Sequence, residues 1–291
     1  MSNKNILENI KKLREITGVG FKDCKNALEE SSGDIEKSVE FLRKKGIAKA
    51  SKKMSRTASE GLVLVKEEKG EISLIEINSE TDFVAKNNDF LDFAEILSRA
   101  IHENQNIKDQ GSDQDLESLE INKKPLSGCL TDLISKIGEN IQIVSYKKYA
   151  SKESIFITYL HNKYNSNCSK IGSVVEIASD NIEIALNLVE ELKVIAMQIS
   201  AMKPMGIDEN SINPKILDDE KDIILKQMNN VPEDKKDQII KGKLNKFIKE
   251  NTLLGQALIT EPKKTVHSFL NEVSKNNNIN LNIISMDLYT I

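Results

Sequence analysis

The sequence predicts an α+β protein: an N-terminal three-helix bundle, a core in which one unit of antiparallel sheet and helix occurs twice, and an inserted helical hairpin. Three observations carry this prediction. Apolar residues recur at helical spacing in three short runs before residue 46. The stretch Ile75-Glu76-Ile77-Asn78-Ser79-Glu80 is matched 100 residues later by Val175-Glu176-Ile177-Ala178-Ser179-Asp180. A charged stretch between residues 205 and 254 keeps helical spacing but has too few apolar positions for a core of its own.

In the first run Ile6, Ile10 and Leu13 share a helical face; Cys24, Ala27 and Leu28 do so in the second, and Ile35, Val39 and Leu42 in the third. Gly18 and Gly20 separate the first two helices. Ser31-Ser32-Gly33-Asp34 ends the second and offers Asp34 as the next N-cap. Gly46 is the expected stop of the third, with the basic stretch Lys49 to Arg56 joining the bundle to the main body.

The main body then reads as two copies of one unit. Strands are predicted over Gly61–Glu67 and Glu71–Asn78, with the turn signal Lys69-Gly70 between them, and again over Ile155–His161 and Ser173–Ala178, joined by the longer loop Asn162–Lys170. Helices follow at Phe90–Glu103 and Ile184–Met202, and closing strands at Ile141–Tyr149 and Asn280–Tyr289. Repetition of this order on both sides makes a duplicated core a better account of the six-residue match than chance. Lys203-Pro204 ends the second copy's helix. Beyond it, Ile216–Met228 and Asp234–Glu250 read as two antiparallel helices around the break Asn229-Asn230-Val231-Pro232. A docking role for this hairpin, including self-association, is as open as a simple solvated surface.

Of 291 residues, 39% are hydrophobic, 30% charged and 4% aromatic, with no tryptophan. No stretch approaches the roughly 20 apolar residues of a spanning helix, and an amphipathic start in place of an apolar leader points to the cytoplasm. The net charge of −4 conceals an excess of six positive charges over residues 1–56. Those charges are mixed in sign and carry no interleaved aromatic residues, so a solvated, steering surface fits better than nucleic-acid binding.

Machinery for covalent chemistry is hard to find. Cys24, Cys129 and Cys168 form no CxxC pair, and His102, His161 and His267 are scattered, so neither a metal cluster nor a disulfide framework is expected. Phosphate loop, dinucleotide fingerprint, nucleophile elbow and zinc-helix patterns are all missing. An enzyme using one of the three cysteines ranks behind a binding protein. One segment stands out when the two helices are aligned at Leu91 and Leu186: the first copy spends eleven residues between strand end and helix, the second six. The surplus contains Thr81-Asp82-Phe83-Val84-Ala85-Lys86. Phe83 and Val84 either fold back on their own sheet or present Phe83 as a wedge for a partner, with Asp82 as its polar companion; composition leaves both open.

Two long runs carry a family resemblance. The run from Leu13 to Leu28 (LREITGVGFKDCKNAL) and the run from Glu76 to Asn87 (EINSETDFVAKN) resemble the two signatures of elongation factor Ts. Gly33–Glu36, Ala48–Gly61, Lys136–Ile141, Tyr159-Leu160-His161 and Glu261–Val266 extend the resemblance in family order from near residue 5 to near 290. It implies an N-terminal three-helix module similar to ubiquitin-associated domains (residues 1–54 with its linker), a core N-subdomain (55–145), a core C-subdomain (146–204 plus 255–291) and a helical hairpin (205–254). The implied function is guanine nucleotide exchange on elongation factor Tu during protein synthesis, with no covalent step, no catalytic residue, and no cofactor, metal, nucleotide, nucleic acid or membrane bound by the chain itself. Arg14, Val19, Phe21 and Lys22 would dock the module on the partner's GTPase domain. Thr81, Asp82, Phe83 and Val84 would press beside its magnesium and phosphate site, and His161 would reach it from the second half. An adaptor using only the N-terminal bundle is the alternative, but it leaves the Thr81–Val84 loop without a role. Two departures stand out: the long loop after His161 puts the placement of that histidine in question, and the sequence ends at Ile291 without the C-terminal helix of some family members.

Overall fold

The computed structural model describes residues 3–17, 19–228 and 232–291. The breaks expected at Gly18 and at Asn229-Asn230-Val231 lie outside the described residues. The chain opens with α1 (Asn3–Thr17), α2 (Phe21–Glu30) and α3 (Ile35–Lys53). Ile10, Leu13, Cys24, Ala27, Leu28 and Leu42 pack together as a small core, one face from each helix. Asp34 caps α3 as its position predicts, its carboxylate accepting the Lys37 N–H at 3.0 Å.

Gly46 does not stop α3, which runs on to Lys53. A glycine inside a helix costs about 1 kcal/mol relative to alanine, and here the missing side chain has a use. A Cβ on Gly46 would lie 2.6 Å from the Ser135 hydroxyl of a neighbouring helix. The stretch read as a linker is therefore largely helix, and its Ala50 belongs to the core of the main body.

That body begins with the hairpin β1 (Glu60–Glu68) and β2 (Glu71–Ser79). Lys69 and Gly70, both at positive φ (54° and 80°), make the two-residue turn that suits the twist of paired strands. Next come α4 (Asn88–Glu103), the two-residue β3 (Gln110–Gly111), the small pair β4 (Glu120–Ile121) and β5 (Lys124–Pro125), α5 (Leu126–Ile137) and the closing β6 (Ile141–Tyr149). The second half repeats the plan with β7 (Ser154–Lys163), β8 (Cys168–Ser179), α6 (Ile182–Asn187), α7 (Val189–Met202), the hairpin α8 (Pro214–Lys226) and α9 (Glu233–Asn251), then α10 (Val266–Asn277) and β9 (Leu281–Thr290). Helices α5 and α10, one before each closing strand, are additions to the predicted order. The helix expected over Ile184–Met202 is broken at Leu188, because the apolar positions 184, 185, 188 and 192 read through a break that the backbone makes.

Seven strands form one antiparallel sheet in the order β3-β6-β2-β1-β8-β7, with β9 also paired to β8. Strand alternation gives each side its own core. Leu62, Leu64, Ile75 and Ile77 face α4 and α5; Ile155, Ile157, Val175 and Ile177 face α7 and α10. The intervening residues Val63, Val65, Ile72, Leu74, Phe156 and Val174 meet in a third cluster shared by the two halves.

The duplication extends to single hydrogen bonds. Register shifts fall between Glu76 and Ile77 in the β2–β6 pair and between Glu176 and Ile177 in the β8–β9 pair. Glu76 accepts from the Ser145 hydroxyl and Glu176 from that of Ser285. Glu80 receives the Asn140 N–H at 2.7 Å, and Asp180 receives the Asn280 N–H at 2.9 Å.

Candidate functional site

The segment after β2 is built to hold its backbone still while one large side chain points outward. Ser79 donates its hydroxyl to the Thr81 carbonyl at 3.0 Å, turning the chain as the strand ends. Thr81 then donates twice to the Glu139 carboxylate, from its N–H at 2.9 Å and its hydroxyl at 2.8 Å. Glu80 is tied to the Asn140 N–H and paired with Arg56 at 3.4 Å. Two consecutive residues of the β6 approach, Glu139 and Asn140, thus clamp the start of the loop. At its far end Asn87 caps α4 by accepting the Asp89 N–H.

Between the clamps, Val84 packs in the core of the first half at 6% exposure and Ala85 next to it is fully buried. Phe83 is 79% exposed, far above what a large apolar side chain usually shows. Of the two dispositions that composition leaves open, Val84 takes the inward one and Phe83 the outward one. Val84 is accordingly an anchor beneath the loop and does not itself lie on the surface. Beside Phe83, Lys86 donates to the Asp82 carboxylate at 3.0 Å, and that bond above all holds the Asp82 pKa below the ordinary carboxylate range. Lys170, paired with Glu60 at 3.1 Å, adds positive potential to the same spot.

The expected five-residue surplus in this loop is not there. Counted to the long helix of each copy, the interval runs from Ser79 to Asn88 in the first and from Ser179 to Val189 in the second, where it contains α6. Ser179 repeats the turn by donating to the Asn181 carbonyl at 3.1 Å, and Ala185 is as buried as Ala85. Aligning Leu91 with Leu186 is out of step because Leu186 belongs to α6. What separates the copies is chemistry: the position of Phe83 corresponds to that of Glu183.

Arg14, Phe21 and Lys22 are exposed on the N-terminal module, with Phe21 at 47%. Val19 is half-buried against the module's own core. His161 is exposed on β7, paired with Ile171 of β8, its Nδ1 3.1 Å from the Tyr159 hydroxyl. The long loop after it is mostly strand: the hairpin extends and closes through a turn in which Asn165 accepts from the N–H groups of Asn167 and Cys168. Its Tyr164 packs against the core beneath Phe83's loop. Among the described residues no hydrogen bond or ion pair links Arg14, Phe21, Lys22 or His161 to that loop. The clamp of Glu139 and Asn140 is the part that sequence reasoning missed, although Lys136–Ile141 carried part of the resemblance.

The cysteines are poorly suited to attack. Cys24 and Cys168 are buried and Cys129 is half-buried; burial raises all three thiols, Cys168 to about 12, so they are protonated near neutral pH. None of them hydrogen-bonds a histidine. No helix among the described residues is long and apolar enough to cross a membrane.

A helical module, a duplicated sheet core and an apolar side chain held out on a clamped loop describe a class of protein by its architecture. Comparison with known proteins specifies which. The family model described as Elongation factor TS matches residues 80–291. The Elongation factor Ts of Aquifex aeolicus is 39% identical over 279 residues, covering 93% of each chain. That of Alkalilimnicola ehrlichii is 38% identical over 268 residues, covering 90% of this chain and 85% of its own. The chain belongs to the elongation factor Ts family, whose members serve translation elongation as nucleotide exchange factors.

Proposed function

We propose that this chain binds elongation factor Tu in its GDP-bound form and accelerates GDP release by disturbing the magnesium and phosphate contacts, so that GTP can rebind. The observation that carries this reading is the 79% exposure of Phe83 on a loop fixed at both ends. An exposed phenylalanine gains roughly 1.5–3 kcal/mol when fully buried, and a loop already ordered loses little entropy on docking. Inserted beside a bound nucleotide, Phe83 displaces the elements that support the metal, while ionised Asp82 competes within the polar network around it. GDP in such a site is held by magnesium and by backbone amides around its phosphates, so loosening either speeds its departure.

Arg14, Val19, Phe21 and Lys22 dock the N-terminal module on the partner's GTPase domain, and His161 provides a contact from the second half. The factor itself makes and breaks no covalent bond and acts in the cytoplasm. Reciprocity is obligatory: if the factor weakens GDP binding by a given free energy, GDP weakens factor binding equally. Incoming GTP then drives the factor off.

The test is the release rate of fluorescent GDP from elongation factor Tu, with the parent and with Asp82→Ala/Phe83→Ala. Strong acceleration by the parent and loss of most of it in the variant is the expected result. Full acceleration by the variant would move the mechanism to another surface, and none by the folded parent would refute the function.

A further inference from the structure

Gly46 lies in the helix that connects the N-terminal module to the loop-bearing core, where it approaches a neighbouring helix of that core closely. Helix α3 is the main bridge: its first half completes the module's core, and its second half lies on α5. Its C-terminal end is pinned, since the Asn140 amide donates to the carbonyls of Arg56 at 2.7 Å and Met54 at 3.4 Å. Further up the helix, Gly46 meets Ser135 of α5 so closely that an added Cβ would sit 2.6 Å from the hydroxyl and 3.3 Å from the serine Cβ. Beyond that contact the helices part around a cleft of about 240 Å³, lined by Ile16, Val19 and Arg43 on one side and by Thr131 and Lys136 on the other.

We infer that Gly46 is a positioning residue for exchange: by letting α3 rest directly on Ser135, it fixes where the module presents Arg14, Phe21 and Lys22 relative to Phe83. This rests on the proposed exchange function and adds a determinant that touches no partner. The lever is long. At 1.5 Å per residue, Gly46 lies about 12 Å from the pinned end and Ile35 about 28 Å, so a displacement of 1 Å at Gly46 becomes about 2.4 Å at Ile35. Docking two specific patches together is sensitive to orientation, so module and loop would no longer engage one partner simultaneously without strain. Helix propensity alone favours alanine over glycine in α3, so a loss of function on enlarging Gly46 cannot be laid to a weaker helix.

The experiment measures GDP release from elongation factor Tu as a function of factor concentration, for the parent, Gly46→Leu, Gly46→Ala and the swap Gly46→Ala/Ser135→Gly. Spin labels at Lys25→Cys and Lys152→Cys, in a Cys129→Ser background, report the module-to-core distance of the same proteins. Gly46→Leu should shift that distance by several ångströms and raise the half-saturating concentration about tenfold, with the saturating rate kept within about twofold. The swap should restore both. If Gly46→Leu does not fold, Gly46→Ala alone should show a smaller shift of the same sign, relieved in the swap. An unchanged distance, or a changed distance with unchanged half-saturation, overturns the inference. Failure of the parent to accelerate release would instead refute the exchange function, and the distances would still decide whether Gly46 sets the angle.

Discussion

At the scale of the residue, the loop divides its labour between side chains that hold and one that is held out. Glu139 is the principal holder, because a carboxylate receiving both the N–H and the hydroxyl of Thr81 fixes the backbone just ahead of Phe83. Hydrogen bonds to a charged group contribute about 1.5–3 kcal/mol each when lost from a part-buried site. Glu139→Ala is therefore expected to lower the urea midpoint measurably and to slow exchange severalfold with Phe83 intact. Phe83→Ala, at an exposed position, should leave stability within about 0.5 kcal/mol while removing most of the exchange activity. Equal losses of stability in the two variants would contradict this division. Glu76 makes a different prediction. Half-buried between strands, it has its pKa raised by desolvation above all. The folded chain holds that proton more tightly than the unfolded one, so the contribution to stability is complete below the unfolded value of about 4.3 and declines as pH rises through the folded value. Glu76→Gln should flatten the stability profile over that interval and raise the urea midpoint at pH 7. A midpoint lower than the parent's at pH 7 would show that the ionised carboxylate is a net stabiliser.

At the scale of the element, the hairpin of α8 and α9 is a graft with a closed base. Met205 donates to the Asn251 carbonyl at 2.8 Å, and the N–H groups of Leu253 and Leu254 donate to Gly206 and Ile207. These bonds join the chain below the two helices. Within the hairpin Ile224, Met228 and Ile248 are buried, while Ile216, Ile223, Leu225 and Ile239 stay largely exposed. Replacing residues 216–246 with a short Gly/Ser link should leave the core folded, with the melting temperature reduced by less than about 5 °C, since little of the main core is removed. Sedimentation of the parent and the deletion, side by side, tests whether the exposed isoleucines support self-association. The sequence exposed this element clearly because its composition is so unlike a core. It exposed the hairpin of β1 and β2 equally well, through alternation and the Lys69-Gly70 turn. It hid features that depend on a neighbour. Gly46 reads as a helix stop unless Ser135 is known to face it, and Leu188 reads as helix interior because its apolar character suits either state. Phe83 and Val84 look alike in composition; only the sheet beneath them assigns one inward and one outward.

At the scale of the whole molecule, the two halves are joined by more than the short β1–β8 pairing of Val63 and Leu64 with Ser169 and Cys168. Asp287 on β9 receives the Lys147 ammonium at 2.7 Å and the Tyr149 hydroxyl at 2.9 Å, both from β6. Two copies of one unit are thereby locked by contacts that the duplication does not repeat. Burial drives the phenol pKa of Tyr149 well above its ordinary value and, with the Asp287 carboxylate assisting, that of Tyr289 to about 12. The folded chain therefore keeps phenol protons that the unfolded chain loses near pH 10. Stability from this source is complete below pH 10 and falls as pH climbs toward 12, because the unfolded state then binds fewer protons than the folded one. The chain carries five tyrosines and no tryptophan, so tyrosinate absorbance can be followed without interference. Between pH 10 and 12 the Tyr149 and Tyr289 part of that absorbance should rise together with loss of the helical circular dichroism, as one cooperative step. Tyr149→Phe should make the alkaline fall in stability shallower, while lowering stability near neutrality by about 1–3 kcal/mol through the hydrogen bond lost to Asp287. If the same two tyrosines, identified by their phenylalanine variants, ionise gradually while the helical signal stays intact, the two halves separate at that seam without unfolding. The joint would then be a hinge, and the contact proposed for His161 would not sit at a fixed distance from Phe83.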